Sequence, residues 1–173
     1  MDVYEAIRTR RSVRSYRPDA IPKEVLHRVL DAARMAPSAG NRQPTRLIVV
    51  TEPEARQKLA EMCGKQGFIA EAPVVIVACG LWMNMTSGKA MEPRVLIDGS
   101  ISLDHLTLAA RAEGLGTCWI GVVGSPEIKR ALGLPEDADV VGVTPLGFPK
   151  GDAFGEPGPR IALDGFVRQE TWS

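Results

Sequence analysis

One stretch of the sequence decides the class of fold: Gly114-Leu115-Gly116-Thr117-Cys118-Trp119-Ile120-Gly121. It follows residues 95–113, in which apolar side chains recur at helical spacing, and it leads into the apolar run 118–123, which predicts a strand. A dinucleotide-binding Rossmann turn has the opposite order, strand, glycines and then helix, and a different glycine spacing. The stretch therefore excludes that fingerprint. We expect Gly114 to end the helix, because glycine tolerates the left-handed conformation.

Apolar periodicity predicts helices around this stretch at 2–9, 22–36, 53–62, 95–113 and 125–133. Asp2 is expected to cap the first helix, which has Val3 and Ile7 on its apolar side. Pro22 opens the second helix, and Pro37 ends it because the residue before a proline avoids the helical region.

Apolar runs predict strands at 47–50, 72–78, 118–123 and 140–146, the first two of them buried. The strands lie between helices, and the helices cover more of the chain. This order predicts an α+β sandwich in one domain, 1–173. The segment 151–173 is rich in glycine and proline before it turns mixed, so we expect this tail to lie against another surface.

The charge and composition of the chain exclude several classes of protein. Lysine plus arginine equals aspartate plus glutamate at 21 each, whereas a nucleic-acid binder usually has a basic excess. The apolar fraction of 45% indicates a folded protein. The longest apolar stretch, 72–83, is well short of the roughly 20 residues that span a bilayer. Residues 1–5 lack the basic and apolar regions of a signal peptide.

The cysteines and histidines do not form a recognisable site. Cys63, Cys79 and Cys118 are odd in number and far apart, which fits neither a disulfide framework nor a zinc site. His27 and His105 each stand alone at helical positions. The sequence therefore predicts a cytoplasmic protein with reduced thiols, no metal, and neither a membrane nor a nucleic acid as partner.

An arginine segment near the start of the chain is the first candidate site, Arg8-Thr9-Arg10-Arg11-Ser12-Val13-Arg14. The guanidinium groups of Arg10, Arg11 and Arg14 stand beside the hydroxyl of Ser12. A guanidinium presents a planar fork of donors that matches phosphate oxygens, so the cluster indicates a phosphate-bearing ligand. The alternative is a solvated basic face.

A second candidate is the polar loop Ala36-Pro37-Ser38-Ala39-Gly40-Asn41-Arg42-Gln43-Pro44. No nucleophile–base pair accompanies it, and Cys118 is better explained as a small buried apolar residue. Residues 81–92 form either core filler or a mobile cover, carrying Trp82, Met83, Met85 and Met91. A site of arginines and loop amides, without an acid, base or metal, suits an enzyme whose cofactor performs the chemistry.

These motifs, in this order, resemble the FMN-dependent nitroreductase family, specifically its short members. The matching segments are Arg10-Arg11-Ser12-Val13-Arg14, the loop 36–44, the stretch 114–121, the strands 72–77 and 145–149, and the tail segment 160–167. The resemblance covers nearly the whole chain. It implies a mostly antiparallel central sheet flanked by helices, in a homodimer with two FMN sites at its interface and with the C-terminal tail, about 151–173, exchanged between subunits.

The resemblance also implies roles for particular residues. The FMN phosphate and ribityl chain would be held by Arg10, Arg11, Ser12, Arg14 and Arg160. The ribityl chain or flavin ring would be reached, partly from the partner subunit, by Pro37, Ser38, Ala39, Asn41 and Gln43. The isoalloxazine would be lined by Cys118, Trp119, Ile120 and Gly121, with a backbone amide near N5. The substrate face would be covered by Trp82, Met83, Met85 and Met91.

The activity that the resemblance implies is reduction of nitroaromatic or quinone-like acceptors by NADH or NADPH. A reduced nicotinamide would pass hydride to flavin N5 and leave, and an electron-poor acceptor would then take the electrons in ping-pong fashion. Two alternatives stay open at this point: another FMN reaction on the same fold (dehalogenation, enoyl-type reduction or biosynthetic oxidation), and a non-catalytic flavin-binding module.

Overall fold

A four-stranded sheet forms the centre of the computed structural model, which describes residues 1–82 and 93–172. The strands are β1 (Thr45–Val50), β2 (Val74–Leu81), β3 (Gly116–Thr117) and β4 (Ala138–Gly147). Their spatial order is β1-β2-β4-β3, and every neighbouring pair is antiparallel. The predicted mostly antiparallel sheet is confirmed.

Helices cover both faces of this sheet. They are α1 (Val3–Thr9), α2 (Lys23–Arg34), α3 (Pro53–Met62), α4 (Phe68–Glu71), α5 (Pro93–Ala112), α6 (Pro126–Ala131) and α7 (Leu163–Phe166). The five predicted helices are all present, and the predicted cap of α1 is confirmed by a 2.8 Å bond from the Glu5 N–H to Asp2 Oδ1. The short helices α4 and α7, and a 3₁₀ turn at Ala39–Asn41, were not predicted because one turn is too short to display a period.

The pleat of β2 divides the core into two layers. Val75, Val77 and Cys79 pack with residues of α3, α4 and α6 on one face. On the other face, alternate residues of β2 such as Val74 and Ile76 pack with α2 and α5. Successive side chains of a strand point to opposite faces, so a strand buried on both faces reads as one continuous apolar run.

Two glycines allow α5 to approach the sheet closely. A Cβ at Gly80 would lie 2.2 Å from Cγ1 of Val95, and a Cβ at Gly99 would lie 2.7 Å from Cγ2 of Val141. Both distances are far below van der Waals contact. The absence of two side chains therefore sets the depth at which α5 packs, and α5 in turn supports the candidate site.

The predicted strand 118–123 is wrong in its position. The strand ends at Thr117, and beyond it Ile120 forms only an isolated bridge with Val143. The N–H of Cys118 donates instead to the side-chain hydroxyl of Thr144 at 3.1 Å. A side-chain hydroxyl thus accepts the N–H that would otherwise form the next backbone hydrogen bond of the strand. The apolar character of 118–123 does not reveal this contact.

Two burial predictions are also corrected. The first strand, expected to be buried, is partly exposed because β1 pairs with β2 alone among the described strands. The expected apolar side of α1 is exposed too, since Val3 and Ile7 are uncovered while Ala6 and Thr9 are the buried residues of that helix.

The tail leaves the core after Pro149, which bridges Tyr16. From Gly151 onward nearly every described residue is exposed, including the apolar side chains of Phe166 (73% exposed) and Trp172 (88%). Ala153 and Phe154 are partly buried against the chain's own core, whereas the described tail residues from Gly155 onward bury no apolar side chain against it. Among residues 1–82 and 93–172, no helix combines the length and apolarity needed to cross a bilayer. The location in the cytoplasm stays a prediction.

Candidate functional site

The arginine segment is positioned by its contact with β3. The chain leaves α1 at Arg10, Ser12 bridges Thr117, and the N–H of Val13 donates to the carbonyl of Thr117 at 2.8 Å. A Cβ at Gly116 would lie 2.6 Å from Cγ2 of Val13. Gly116 is therefore the residue that lets the arginine segment lie against the sheet, and this gives the second glycine of the 114–121 stretch a function in assembling the site.

This packing brings Cys118 next to the arginine segment. Burial raises the pKa of the Cys118 thiol above its ordinary value, while the Arg14 guanidinium, a hydrogen bond with Ser12 and the Arg10 guanidinium act in the opposite direction. Burial is the larger effect, so the thiol is neutral near pH 7. The structure supports the interpretation of Cys118 as a buried residue of the wall, without nucleophilic character.

Arg10 and Arg14 keep their guanidinium groups available for an anion. In the described part of the chain no carboxylate pairs with either of them, and the one hydrogen bond of the Arg14 guanidinium is a long one, 3.5 Å, to the carbonyl of Ser12. Ser12 and Arg14 are exposed. Two guanidiniums without a carboxylate partner among the described residues, beside an exposed serine, are the arrangement that the predicted phosphate contact requires.

Arg11 differs from its neighbours. Its Nη1 donates to the carbonyls of Arg8, at 2.8 Å, and of Arg10, and its Nη2 donates to the carbonyl of Gly155. This guanidinium therefore joins the arginine segment to the start of the tail. The predicted phosphate contact of Arg11 stays a prediction.

Arg160 lies farther along the exposed tail. Its Nη1 donates to the carbonyls of Gly158 at 3.2 Å and Pro159 at 3.1 Å, both within two residues of itself. Among the described residues, no hydrogen bond or ion pair joins Arg160 to the arginine segment of its own chain, and its predicted role stays a prediction.

The second predicted group forms a tightly turned loop. Gly40, Asn41 and Gln43 all have positive φ, at 58°, 54° and 51°. This region is uncommon for residues other than glycine. Two bonds close the loop: the N–H of Gln43 donates to Ser38 Oγ at 2.9 Å, and the N–H of Asn41 donates to the Ser38 carbonyl at 2.9 Å.

A cavity of about 470 Å³ lies between this loop, α2, β1 and α5. Its lining combines apolar side chains with polar ones, for example Leu30, Leu47, Val49, Ser38, Gln43 and Asp98. Of the predicted residues, Pro37, Ser38 and Gln43 face this cavity. The structure thus assembles the predicted residues in two groups, one around the arginine segment and one around the loop.

The stretch after β3 alternates buried and exposed residues. Ile120 exchanges two hydrogen bonds with Val143, at 2.8 and 3.0 Å, and is buried, whereas Trp119 is 38% exposed. Gly121 is exposed, and a Cβ placed on it would meet no atom within 4 Å. Trp119 and Gly121 are thus the exposed residues of the predicted flavin wall, while Cys118 and Ile120 lie beneath them, and the wall itself stays a prediction.

The predicted substrate cover is described only at its first residue. The N–H of Trp82 donates to the carbonyl of Asp137 at 2.8 Å, and its indole Nε1 is buried without a hydrogen-bond partner among the described residues. Met83, Met85 and Met91 lie outside the described residues.

No group of three or more His, Cys, Asp or Glu side chains in the described ranges could hold a metal ion.

Sequence reasoning missed Asp98, which contacts the loop from α5. Its carboxylate accepts the N–H of Ala39 at 3.2 Å. The signal was present in the sequence, since Asp98 stands at helical spacing between Val95 and Ser102. The structure shows that all three are buried. An acidic residue on the apolar side of a helix points to a buried polar contact.

Comparisons with known proteins agree with this architecture. The sequence model of the nitroreductase family matches residues 7–67 and 61–148. A Methanothermobacter thermautotrophicus protein classed as an NADH dehydrogenase/NAD(P)H nitroreductase is 35% identical over 99% of this chain and 88% of its own. The FMN reductase [NAD(P)H] of Bacillus subtilis is 29% identical over 99% of this chain and 74% of its own.

The solved structure of the NADPH:FMN oxidoreductase of Vibrio harveyi, in complex with NAD+, superposes with a TM-score of 0.88 and 26% identity. The alignment covers 99% of this chain and 78% of that one. Together, the fold and these similarities define an α+β oxidoreductase. The chain belongs to the nitroreductase family, as the sequence motifs predicted.

Proposed function

We propose that this protein is an FMN-dependent oxidoreductase that uses NADH or NADPH to reduce nitroaromatic or quinone-like acceptors. The observation that carries the proposal is the pair of guanidiniums of Arg10 and Arg14, which have no carboxylate partner in the described part of the chain and stand beside Ser12. The names of relatives that reduce or use flavins support the choice of cofactor.

The phosphate end of FMN would be held by Arg10, Ser12 and Arg14. Charge-assisted hydrogen bonds from guanidinium to phosphate are roughly twice as strong as neutral ones, and Arg adds the geometry of a fork. Arg160 would join them from the tail, either of the same chain or of a partner. Arg11, already bonded to three carbonyls, would act by holding the segment in place.

The flavin ring would lie on the surface formed by Cys118, Trp119, Ile120 and Gly121. A bound flavin would supply the redox chemistry, accepting a hydride from the nicotinamide and passing it, together with a proton from solvent, to the acceptor. The chain itself would position the ring, direct backbone amides to its edge, and keep the ring face open for donor and acceptor in turn.

We further propose that the active form is a homodimer with exchanged tails, in which part of the 37–43 loop contacts the flavin of the partner subunit. Three features support this arrangement. The outer side of α1 exposes Val3, Tyr4 and Ile7. The tail exposes apolar side chains including Phe166 and Trp172. The outer edge of β1 carries no strand among the described residues, and an unpaired edge is a template for strand addition.

The experiment that tests the function is a visible absorption spectrum of the purified protein, loaded with FMN and kept anaerobic. Flavin bands that bleach on addition of NADH or NADPH, and recover when a quinone or nitroaromatic compound is added, are the expected result. A protein that cannot be loaded with FMN would contradict the proposed cofactor. A loaded protein whose bands never bleach with either nicotinamide would contradict the proposed donor.

A further inference from the structure

A buried carboxylate lies beneath the loop that would contact the flavin. Asp98, on α5, is only 4% exposed. The N–H of Ala39 donates to both of its oxygens, at 3.2 Å to Oδ1 and 3.3 Å to Oδ2. Burying a carboxylate is costly unless hydrogen bonds compensate it, so this contact with the first residue of the 3₁₀ turn is a candidate for a specific function.

The same face of α5 also contacts the chain just before the loop, at the end of α2. Ser102, one helical turn after Asp98, donates its hydroxyl to the carbonyl of Ala33 at 2.9 Å. Residues four apart on a helix share one face. The pair therefore fastens both ends of the segment between Ala33, near the end of α2, and Ala39, where the turn begins.

The loop needs a stabilising contact from outside because its own backbone conformation is unfavourable. Asn41 and Gln43 are in the left-handed region, which residues other than glycine occupy only when their surroundings enforce it. Within the loop, Ser38 accepts the N–H groups of Asn41 and Gln43, and the Ala39 carbonyl accepts the N–H of Arg42. The hydrogen bond from Ala39 to Asp98 connects this self-bonded turn to a rigid, buried helix.

We propose that Asp98 is a positioning residue for flavin binding, which holds the 37–43 loop in the conformation that contacts the ribityl chain and ring. The inference rests on the proposed function and adds a residue that neither the motifs nor the family resemblance identified. Asp98 acts here as a hydrogen-bond acceptor for a backbone amide, and its effect is transmitted through Ala39 to the loop. It does not contact the phosphate end of the cofactor.

The test compares the affinities of FMN and riboflavin, which differ only in the phosphate, by flavin fluorescence titration. In Asp98→Ala both dissociation constants are expected to rise by a similar factor, about tenfold or more, since a hydrogen bond to a charged group is lost. Asp98→Asn is expected to restore both to within about threefold of the wild type, because the amide oxygen still accepts the N–H of Ala39.

The matched control is Thr107→Ala, which removes a buried hydroxyl of the same helix that, among the described residues, bonds only to the Asp104 carbonyl within α5, away from both ends of the loop segment. Its affinities are expected to change less than those of Asp98→Ala, even where its thermal stability falls by as much. Equal losses in the two variants at equal stability would overturn the inference, since the effect would then be one of general stability.

A second variant, Ala39→Pro, removes the N–H that donates to Asp98. It provides the test if Asp98→Ala does not fold. Proline is tolerated at the first position of a helical turn. Both flavins are expected to bind more weakly to this variant. Wild-type affinities in Asp98→Ala or Ala39→Pro, or a loss confined to FMN, would overturn the inference while the proposed function stands. A wild-type protein that binds neither flavin would overturn the proposed function itself.

Discussion

The three arginines of the segment 10–14 look alike in the sequence, yet the structure separates them by what each guanidinium contacts. Arg11 donates to backbone carbonyls, one of them 144 residues away at Gly155, whereas Arg10 and Arg14 stand without a carboxylate partner among the described residues. The sequence predicts the cluster and its preference for phosphate. It cannot predict that Arg11 differs from Arg10 and Arg14, because that difference depends on a carbonyl far away in the chain, at Gly155.

The difference between Arg11 and the other two arginines leads to a prediction for Arg14. Replacement by glutamine is expected to weaken FMN binding about tenfold or more, since a charge-assisted hydrogen bond is worth about 1.5–3 kcal/mol. Riboflavin binding is expected to stay unchanged, because riboflavin lacks the phosphate. Fluorescence titration with the two ligands measures both effects. The control is Arg130→Gln, at an exposed position of α6; equal FMN affinity in the two variants would contradict the phosphate assignment.

The buried thiols predict how stability depends on pH. Burial raises the pKa of Cys63 to about 11, and burial together with Asp139 raises that of Cys79 to about 11. Both thiols stay protonated in the folded chain at a pH where the unfolded chain ionises them. Their contribution to stability is therefore complete below the ordinary thiol pKa of about 8.5 and is lost as the pH rises through about 11.

Urea unfolding between pH 7 and pH 11 measures this effect. The free energy of unfolding is expected to fall from about pH 9 upward, and less steeply in a Cys63→Ala, Cys79→Ala double variant. An identical slope in the two proteins would show that other groups carry the dependence.

At the scale of elements, the packing of α5 accounts for a glycine that helix propensity opposes. Gly99 lies within α5, where glycine costs about 1 kcal/mol relative to alanine, and its missing side chain admits Val141 of β4. The periodic apolar residues of 95–113 predict the helix correctly, but they do not reveal how closely it approaches the sheet.

Gly99→Ala is expected to destabilise the protein by about 1–3 kcal/mol despite the gain in helix propensity, because the new Cβ would lie 2.7 Å from a methyl of Val141. Urea unfolding provides the measurement. Gly67→Ala is the control, since a Cβ at Gly67 meets nothing within 4 Å and its backbone is right-handed helical. Stabilisation by Gly99→Ala would mean that α5 can shift at little cost.

The elements that were predicted well are those with a clear period or a long apolar run, such as α2 and β2. The failures have physical causes of another kind. The run 118–123 is apolar enough for a strand, but the hydroxyl of Thr144 takes the hydrogen bond that would extend it. The exposure of β1 follows from its place at the edge of the sheet, and strand order is a long-range property that local patterns do not encode.

The segments of the candidate site are predicted from local motifs, and their binding of a flavin stays a prediction. Motifs identified the arginine segment, the loop and the stretch after β3, and the structure adds Gly116, Thr144 and Asp98 as the residues that hold them. These supporting contacts all join segments far apart in the chain, which is why spacing alone did not reveal them.

At the scale of the whole molecule, the tail has an anchored beginning and an exposed remainder. Glu156 pairs with Arg8 at 2.9 Å, and Phe154 lies under the Arg111 guanidinium at 4.1 Å. Beyond them the described residues are exposed and contribute nothing to either core layer. The anchored part therefore belongs to the chain's own fold, and the remainder is available to a second copy.

Deletion of residues 157–173 tests this separation. The truncated chain is expected to keep its helical circular-dichroism spectrum, because both core layers remain. It is expected to lose the proposed dimer and most of its FMN, because Arg160 and the segment proposed to be exchanged are removed. Light scattering gives the mass and the visible spectrum gives the flavin content. A truncated protein that stays dimeric and fully loaded would contradict tail exchange.

The bridge between Ser12 and Thr117, together with the bond from Arg11 to Gly155, has a consequence for the time course of folding. The arginine segment is made early in synthesis, yet its partners are made more than a hundred residues later, and such distant contacts form slowly because a long loop must first close. We therefore expect flavin uptake to be a late event. In refolding experiments the helical signal should recover first, and quenching of flavin fluorescence should mark the moment at which the two distant parts of the chain meet.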